Sequence, residues 1–103
     1  MLRVFISQPM KDKTVDEIAE TRHRAIEDLK EYFPNEELEI IDTWLDDEKN
    51  SLWKLGRSIQ LLSTADVAYF TAGFDLYRGC RIEYKCAEEY GINRILETRD
   101  DYV

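Results

Sequence analysis

Histidine, cysteine, proline and glycine are all scarce in this chain: one histidine, two cysteines, two prolines and four glycines in 103 residues. The lone histidine, His23, in a polar helical setting leaves no partners for a histidine-built metal centre or a histidine-based catalytic triad. Cys80 and Cys86 fall on different faces of one helix, so neither a disulfide nor a zinc pair is expected and no oxidising compartment is needed. No apolar run is long enough to cross a membrane, and the opening MLRVFIS has a strand's length and no cleavage pattern, so a cytoplasmic protein is expected. Positive charge is short as well. With 14 Lys and Arg against 22 Asp and Glu, the formal charge is -8 and the pI near 4.6. A duplex nucleic acid or an anionic membrane would be repelled over most of such a surface. A small-molecule partner fits better, and no metal or cofactor is expected.

What is present is enough for one core. Hydrophobic residues make up 44% of the chain, and this length supports a single domain over residues 1–103 rather than two. LRVFIS, from Leu2 to Ser7, is a β-branched apolar run ended by Gln8-Pro9 and reads as a buried strand. Thr14 and Glu17 have the spacing of a capping box, opening a helix that runs to about Phe33 before Pro34-Asn35. LEIID, from Leu38 to Asp42, is a second strand, followed by the acidic loop TWLDDEKN. Ser51 is the expected cap of a second helix through Leu62, with Leu52, Leu55, Ile59 and Leu62 on one stripe. DVAYFT, from Asp66 to Thr71, is a third strand. YRGCRIEYKCAEEYG holds a helix bounded by Gly79 and Gly91, and NRILET is a fourth strand. No linker, repeat or low-complexity segment interrupts them.

Three strand–helix alternations with crossover-length connections imply a parallel four-stranded sheet with helices on its faces, a small Rossmann-like, flavodoxin-like three-layer fold. Ligands of such folds gather at the carboxyl ends of the strands, which selects three segments: Ser7 to Thr14, Asp42 to Ser51, and Thr71 to Glu83. Glu83, flanked by Ile82 and followed by Cys86 and Ala87, is then expected in the first turn or so of its helix at the ligand edge. Unpaired N–H groups there would favour an ionised carboxylate by roughly 0.3 to 1 kcal/mol. Such a group could attack a sugar C1′ and carry the glycosyl unit as an ester. Acidic residues are favoured in first turns for the same reason, so an ordinary helix-start glutamate is the competing reading.

Three blocks, ISQPMKDKTVDEIAETRHRA, LWKLGRSIQLLSTADVAYF and GFDLYRGCRIEYKCAEEYGI, in that order, resemble the nucleoside 2-deoxyribosyltransferase-like superfamily, most closely its compact, largely uncharacterised bacterial and phage branch. The resemblance implies that Glu83 is the nucleophile, that Ser7, Gln8, Pro9 and Met10 lie under the nucleoside, and that Gly73 and Phe74 touch ligand. Asp75 is the carboxylate nearest to where the family meets the sugar hydroxyls, although Asp75-Leu76-Tyr77-Arg78-Gly79-Cys80 replaces the family's Asp-x-Gly-Ser/Thr approach. Asp12 stands where the compact branch often has glycine, and Tyr84 where it often has histidine. The open carboxyl edge and the large aromatics around it, Trp44, Trp53, Phe74, Tyr77, Tyr84 and Tyr90, point to a homo-oligomer, most simply a dimer, and the resemblance, whose characterised members complete their sites with a neighbouring subunit, implies the same.

Other residues carry two readings each. Arg22, on the stripe Ile18, Arg22, Ala25, Leu29, Tyr32 that should face the sheet, needs a carboxylate partner or orients Glu83 or a substrate. Arg78 with the helix start at Gly79 can hold a 5′-monophosphate or stay solvated. Asp42 bonds a base or ribose, or serves a turn. Asp46, Asp47 and Glu48 form a solvated loop or supply the acid that protonates a departing base. Trp44, Trp53, Phe74 and Tyr77 stack a nucleobase, or with Tyr84 and Tyr90 fill core and interface. Three functions remain open: an N-glycosidic transferase or hydrolase, a non-catalytic binder of a nucleotide or nucleotide-derived signal, and a structural or assembly protein.

Overall fold

A computed structural model describes residues 1–43 and 49–98. Four strands, β1 (Leu2–Ser7), β2 (Leu38–Ile40), β3 (Val67–Phe70) and β4 (Asn93–Leu96), alternate with helices α1 (Val15–Tyr32), α2 (Ser51–Leu62) and α3 (Arg78–Glu89), and a 3-10 turn at Phe74–Leu76 precedes α3. All pairings are parallel and the order is β2-β1-β3-β4. The expected three-layer α/β fold is therefore present. Period-two alternation sorts the central strands between two cores. Val4, Ile6, Val67 and Tyr69 meet Ala25 and Leu29 of α1 on one face. Phe5, Ala68 and Phe70 meet Leu62 of α2 and Ala87 of α3 on the other.

This order contains one switch point. From β1 the chain crosses by α1 to β2, and from β3 it crosses by α3, on the opposite face, to β4. The carboxyl ends of β1 and β3 are neighbours, with Ser7 in register with Phe70, so the loops leaving them diverge and open a crevice between. The chain fixes both lips of it. Gln8 Nε2 donates to the Ile18 carbonyl at 3.0 Å, tying the β1–α1 loop to α1. Glu97, just past β4, accepts from the Ala72 N–H at 2.8 Å and from Arg24 Nε at 2.9 Å, tying the β3–α3 loop to β4 and α1. Among the described residues no helix is long and apolar enough to cross a membrane.

The helix ends follow local chemistry with some shifts from expectation. The capping box at α1 forms both ways, Glu17 N–H to Thr14 Oγ1 at 3.1 Å and Thr14 N–H to Glu17 Oε1 at 2.8 Å. At α2 the cap is Asn50 rather than Ser51: the Asn50 Oδ1 accepts from the Trp53 N–H at 2.8 Å, which moves Ser51 into the first helical position. Helix α3 starts at Arg78, one residue before Gly79, and closes through Gly91 at φ 71, with Ile92 N–H bonded to the Ala87 carbonyl and Gly91 N–H to that of Glu88. This is a Schellman ending, which needs a left-handed residue at that point. Strand β2 stops at Ile40, two residues early. Along α1, Ala25 and Leu29 reach the core, whereas Tyr32 at the end of the stripe is 53% exposed. Among the described residues Arg22 meets neither Glu83 nor a carboxylate partner; its Nη2 donates to the Ile41 carbonyl at 3.0 Å, a backbone tie between α1 and the end of β2.

Asp12, in the β1–α1 loop, has φ 63 and is the one non-glycine residue in the left-handed region among those described. Aspartate tolerates that region better than most residues, but glycine occupies it without a Cβ clash. Replacing Asp12 by glycine is expected to raise the unfolding free energy by about 0.5 to 1 kcal/mol, read from urea titration. A loss of stability would mean that the Asp12 side chain makes a compensating contact.

Candidate functional site

The crevice widens into an open cleft of about 1530 Å³. Its floor is made by the end of β1, one wall by the loop from Gln8 to Lys13 and the start of α1, the other by α2 and the first half of α3. Glu83 lies at the base, 7% exposed. Its burial has a simple cause: Cys80, Glu83 and Ala87 are the buried stripe of α3, and their three- and four-residue spacing puts them on the face turned toward the sheet. A carboxylate occupies a position that packing alone would give to an apolar residue.

Ser7 answers that carboxylate. As the last residue of β1 it shares the face of Phe5, toward α3, and its Oγ donates to Glu83 Oε1 at 2.6 Å. Burial pushes the Glu83 carboxyl above its ordinary value, and the hydroxyls of Ser7 and then Ser58 pull it partly back. The helix-start field expected to ionise Glu83 is not the controlling influence. Glu83 is the sixth residue of α3, beyond the first turn where that field acts, so desolvation outweighs it. Cys80, one turn earlier, is 5% exposed and its thiol is pushed up to about 11, by burial first, with Ser7 lowering it and Glu83 raising it. A thiol so shifted is a poor nucleophile at neutral pH.

Of the residues expected at the site, Ser7, Gln8, Pro9, Met10, Arg78, Gly79 and Glu83 all line the cleft. Gly73, Phe74, Asp75 and Asp42 do not. Gly73 forms a buried left-handed turn at φ 85 that turns the chain into the 3-10 segment. Phe74 packs against Phe70 and Tyr84, with ring centroids 5.2 and 5.3 Å away, as part of the α2/α3 core. Asp75 is exposed in the 3-10 turn, and its carbonyl accepts from Arg81 Nη1 at 3.2 Å. Asp42 is exposed just past β2. Trp44, Asp46, Asp47 and Glu48 lie outside the described residues. Tyr84 joins the Phe70–Phe74 cluster, while Trp53 and Tyr90 remain 47% and 84% exposed.

Three contributors escaped the sequence reading. Ser58 breaks the apolar stripe of α2 between Leu55 and Ile59, and a polar residue on an otherwise apolar face was the available signal. Thr43 continues the alternation of β2, where Ile41 and Thr43 are buried and Asp42 between them is exposed. The alternation pointed to Thr43 as the inward residue. Cys80 was weighed only for disulfides and metals. Thr43 and Gln8 share a further property: both are 6% exposed, both line the cleft, and Thr43 Oγ1 and Gln8 Oε1 have no hydrogen-bond partner among the described residues.

No family model, no curated protein and no solved structure matches the chain. Fold and site together define the class: a small three-layer α/β protein with a hydroxyl-supported, buried carboxylate at the base of an open cleft. No group of His, Cys, Asp and Glu among the described residues could hold a metal ion.

The direction of the Glu83 shift fixes a dependence of stability on pH. A carboxyl whose folded value lies above its unfolded one, ordinarily 4.5, binds protons more readily in the folded chain. Its favourable contribution is complete below that value and is lost as pH rises through the folded one. Glu83→Gln, neutral at every pH, is therefore expected to gain stability relative to wild type as pH rises from about 4 to 8. Thermal unfolding of the two proteins across that range checks it; a gap that narrows with rising pH would contradict the desolvated carboxylate.

Proposed function

We propose that this chain is a nucleoside or nucleotide 2-deoxyribosyltransferase-like enzyme that cleaves an N-glycosidic bond with Glu83 as the nucleophile. One observation carries the reading: the Glu83 carboxylate, almost wholly withdrawn from water, is held by the Ser7 hydroxyl at 2.6 Å at the base of the cleft. The short hydrogen bond fixes one carboxylate oxygen and the torsions behind it. A carboxylate so placed can form a bond to C1′ as the C1′–N bond breaks, and the bonding pair leaves with the base nitrogen, which takes up a proton. Water or a second base then attacks C1′ and frees Glu83. Desolvation raises the basicity and nucleophilicity of the anion, while the Ser7 and Ser58 hydroxyls oppose the protonation that would silence it.

A second reading, ligand binding without turnover, is favoured by the position of Asp75. That residue is exposed and away from the cleft walls, so among the described residues Glu83 has Asp12 as the only other acid lining the cleft. In the binding reading Glu83 accepts hydrogen bonds from sugar hydroxyls. We read the protein as cytoplasmic, where its two free thiols, Cys80 and Cys86, would persist.

We also read the working form as a homo-oligomer, most simply a dimer. Phe74 and Tyr84 are taken up by the core, but four exposed apolar residues, Met10, Val15, Leu52 and Leu76, lie along the cleft itself and are 36%, 68%, 77% and 71% exposed. Apolar groups ringing an open site suit a covering surface that would also exclude water from a glycosyl ester. Light scattering over a dilution series is expected to give a multiple of the 12.2 kDa chain mass; a monomer with full ligand binding would remove this part of the reading.

Glu83→Gln is expected to fold and to lose base release, by about a thousandfold or more, from whichever deoxynucleoside or deoxynucleotide the wild type cleaves. Chromatographic detection of free base across a substrate panel measures it. Undiminished release by the variant would end the nucleophile assignment, and a wild type that binds the panel without releasing base would favour the binder.

A further inference from the structure

Buried polar atoms are normally answered by a hydrogen bond, so each exception needs a cause. Among the described residues three side-chain oxygens are shut off from bulk water without a partner: Gln8 Oε1, Thr43 Oγ1 and Thr71 Oγ1. Gln8 and Thr43 line the cleft, and Thr71 does not. The two on the cleft come from adjoining strand ends: Gln8 follows the last residue of β1, and Thr43 lies just past β2, which pairs with β1. Gln8 is fixed as an acceptor. Its Nε2 donates to the Ile18 carbonyl at 3.0 Å, and the reverse setting of the amide would put oxygen against that carbonyl. Thr43 is adaptable, because a hydroxyl both donates and accepts. On the far side of Ser7 stands Glu83, reached by the Ser7 Oγ at 2.6 Å. Along the carboxyl edge the order is therefore Thr43 at β2, Gln8 and Ser7 at β1, then Glu83 from α3, which packs on β3 and β4.

We propose that Gln8 Oε1, with the Thr43 hydroxyl on the adjoining strand end, reads the base of the ligand and selects an amino-bearing base, adenine or cytosine, over its oxo counterpart. The inference rests on the enzymatic reading above, which puts the sugar C1′ at Glu83. The base is then the part of the ligand that extends along this edge toward β2. A fixed acceptor requires a donor there. An exocyclic amino group presents N–H bonds at the rim of the base, and the ring nitrogen beside it in adenine and cytosine accepts from a hydroxyl such as that of Thr43. An oxo group in the same place sets oxygen against the Gln8 oxygen. A site whose buried acceptor is left unpaired by the wrong ligand discriminates far more strongly than an apolar wall does. Rotamer adjustments of the kind common at binding surfaces bring the two oxygens and the base into contact.

Calorimetry on the Glu83→Gln protein, which should bind without turnover, tests the proposal with ligands that differ at one group. For purines these are 2′-deoxyadenosine, 2′-deoxyinosine, and purine 2′-deoxyriboside, which has hydrogen in place of the amino group. For pyrimidines they are 2′-deoxycytidine, 2′-deoxyuridine and the 2′-deoxyriboside of 2-pyrimidinone. Each is used as the nucleoside and as its 5′-monophosphate. Within the ring class that binds, the amino form is expected to bind about tenfold or more tightly than both the oxo and the hydrogen form. In Gln8→Met, made in the same background, that preference should fall to about twofold or less. Thr43→Val should shrink it as well, and Thr71→Val, which removes the orphaned hydroxyl away from the cleft, should leave it unchanged. Equal binding of the three forms by Glu83→Gln would overturn the proposal with no appeal to the further variants. So would an amino preference that survives Gln8→Met, or, if that protein does not fold, one that survives Thr43→Val. A protein that binds none of these ligands would remove the nucleoside reading together with the proposal, whereas binding indifferent to the amino group removes the proposal alone.

Discussion

A buried carboxylate that must be tolerated before it can be used is the constraint on which the rest of this structure depends. Glu83 is on the sheet-facing stripe of α3, where a leucine would stabilise the fold at no electrostatic cost. The chain offsets the desolvation with hydroxyls rather than with a counter-charge: Ser7 at the end of β1, and Ser58 from the flanking α2. A lysine or arginine in that place would have formed a buried ion pair and pulled the carboxyl far down. Hydroxyls leave it raised, partly reactive, and open on the cleft side. The arrangement requires that the end of β1 and the second turn of α3 face each other closely, which is what the β2-β1-β3-β4 order provides.

Holding those two pieces in place falls to contacts away from the site. The Glu97 carboxylate joins the Ala72 N–H to Arg24, so the loop leaving β3 is tied at its start to both neighbouring elements. Burial of the Glu97 side chain strengthens that tie, and the Arg24 guanidinium is held more firmly protonated by it. On the same face the Tyr69 hydroxyl donates to Asp28 at 2.6 Å, and burial with this hydrogen bond raises the phenol well above its usual range. These polar links run through the α1 side of the sheet. The α2/α3 side is closed by aromatic packing among Phe70, Phe74 and Tyr84. The cleft is thus backed by a polar-braced layer on one face and an aromatic one on the other.

Much of this was legible in the sequence because it depends on local rules. Strand and helix order, the Thr14–Glu17 box and the ending at Gly91 follow from periodicity and cap chemistry. The cap at Asn50 was missed because Asn and Ser are adjacent and either can serve. Glu83 was found by placing it at the carboxyl edge, but its electrostatics were misjudged: counting from Gly79 put it near the helix start, and burial by the sheet face is a tertiary effect that one helix cannot report. Ser58 and Thr43 were hidden for the same reason, being ordinary small polar residues until another element packs over them. Phe74 and Asp75 show the converse. Their place in the edge loop was legible, but whether a loop residue turns toward the cleft or the core depends on the Gly73 turn and the 3-10 segment after it.

The charge pattern follows from the same division between local and tertiary. Composition alone describes a protein that should avoid anions. The fold collects a minority of its cations from three distant segments onto the cleft walls, and no window of the sequence displays that gathering.

In the proposed reaction Glu83 forms a covalent bond to the sugar carbon. Intact-protein mass spectrometry after rapid acid quench, with a cleavable deoxynucleoside or deoxynucleotide, measures it most directly. A mass increase equal to the glycosyl unit is expected, located by peptide mapping to Glu83 and absent from Glu83→Gln. Steady base release with no adduct on wild type, even with slow-reacting sugar analogues that prolong such esters, would contradict it.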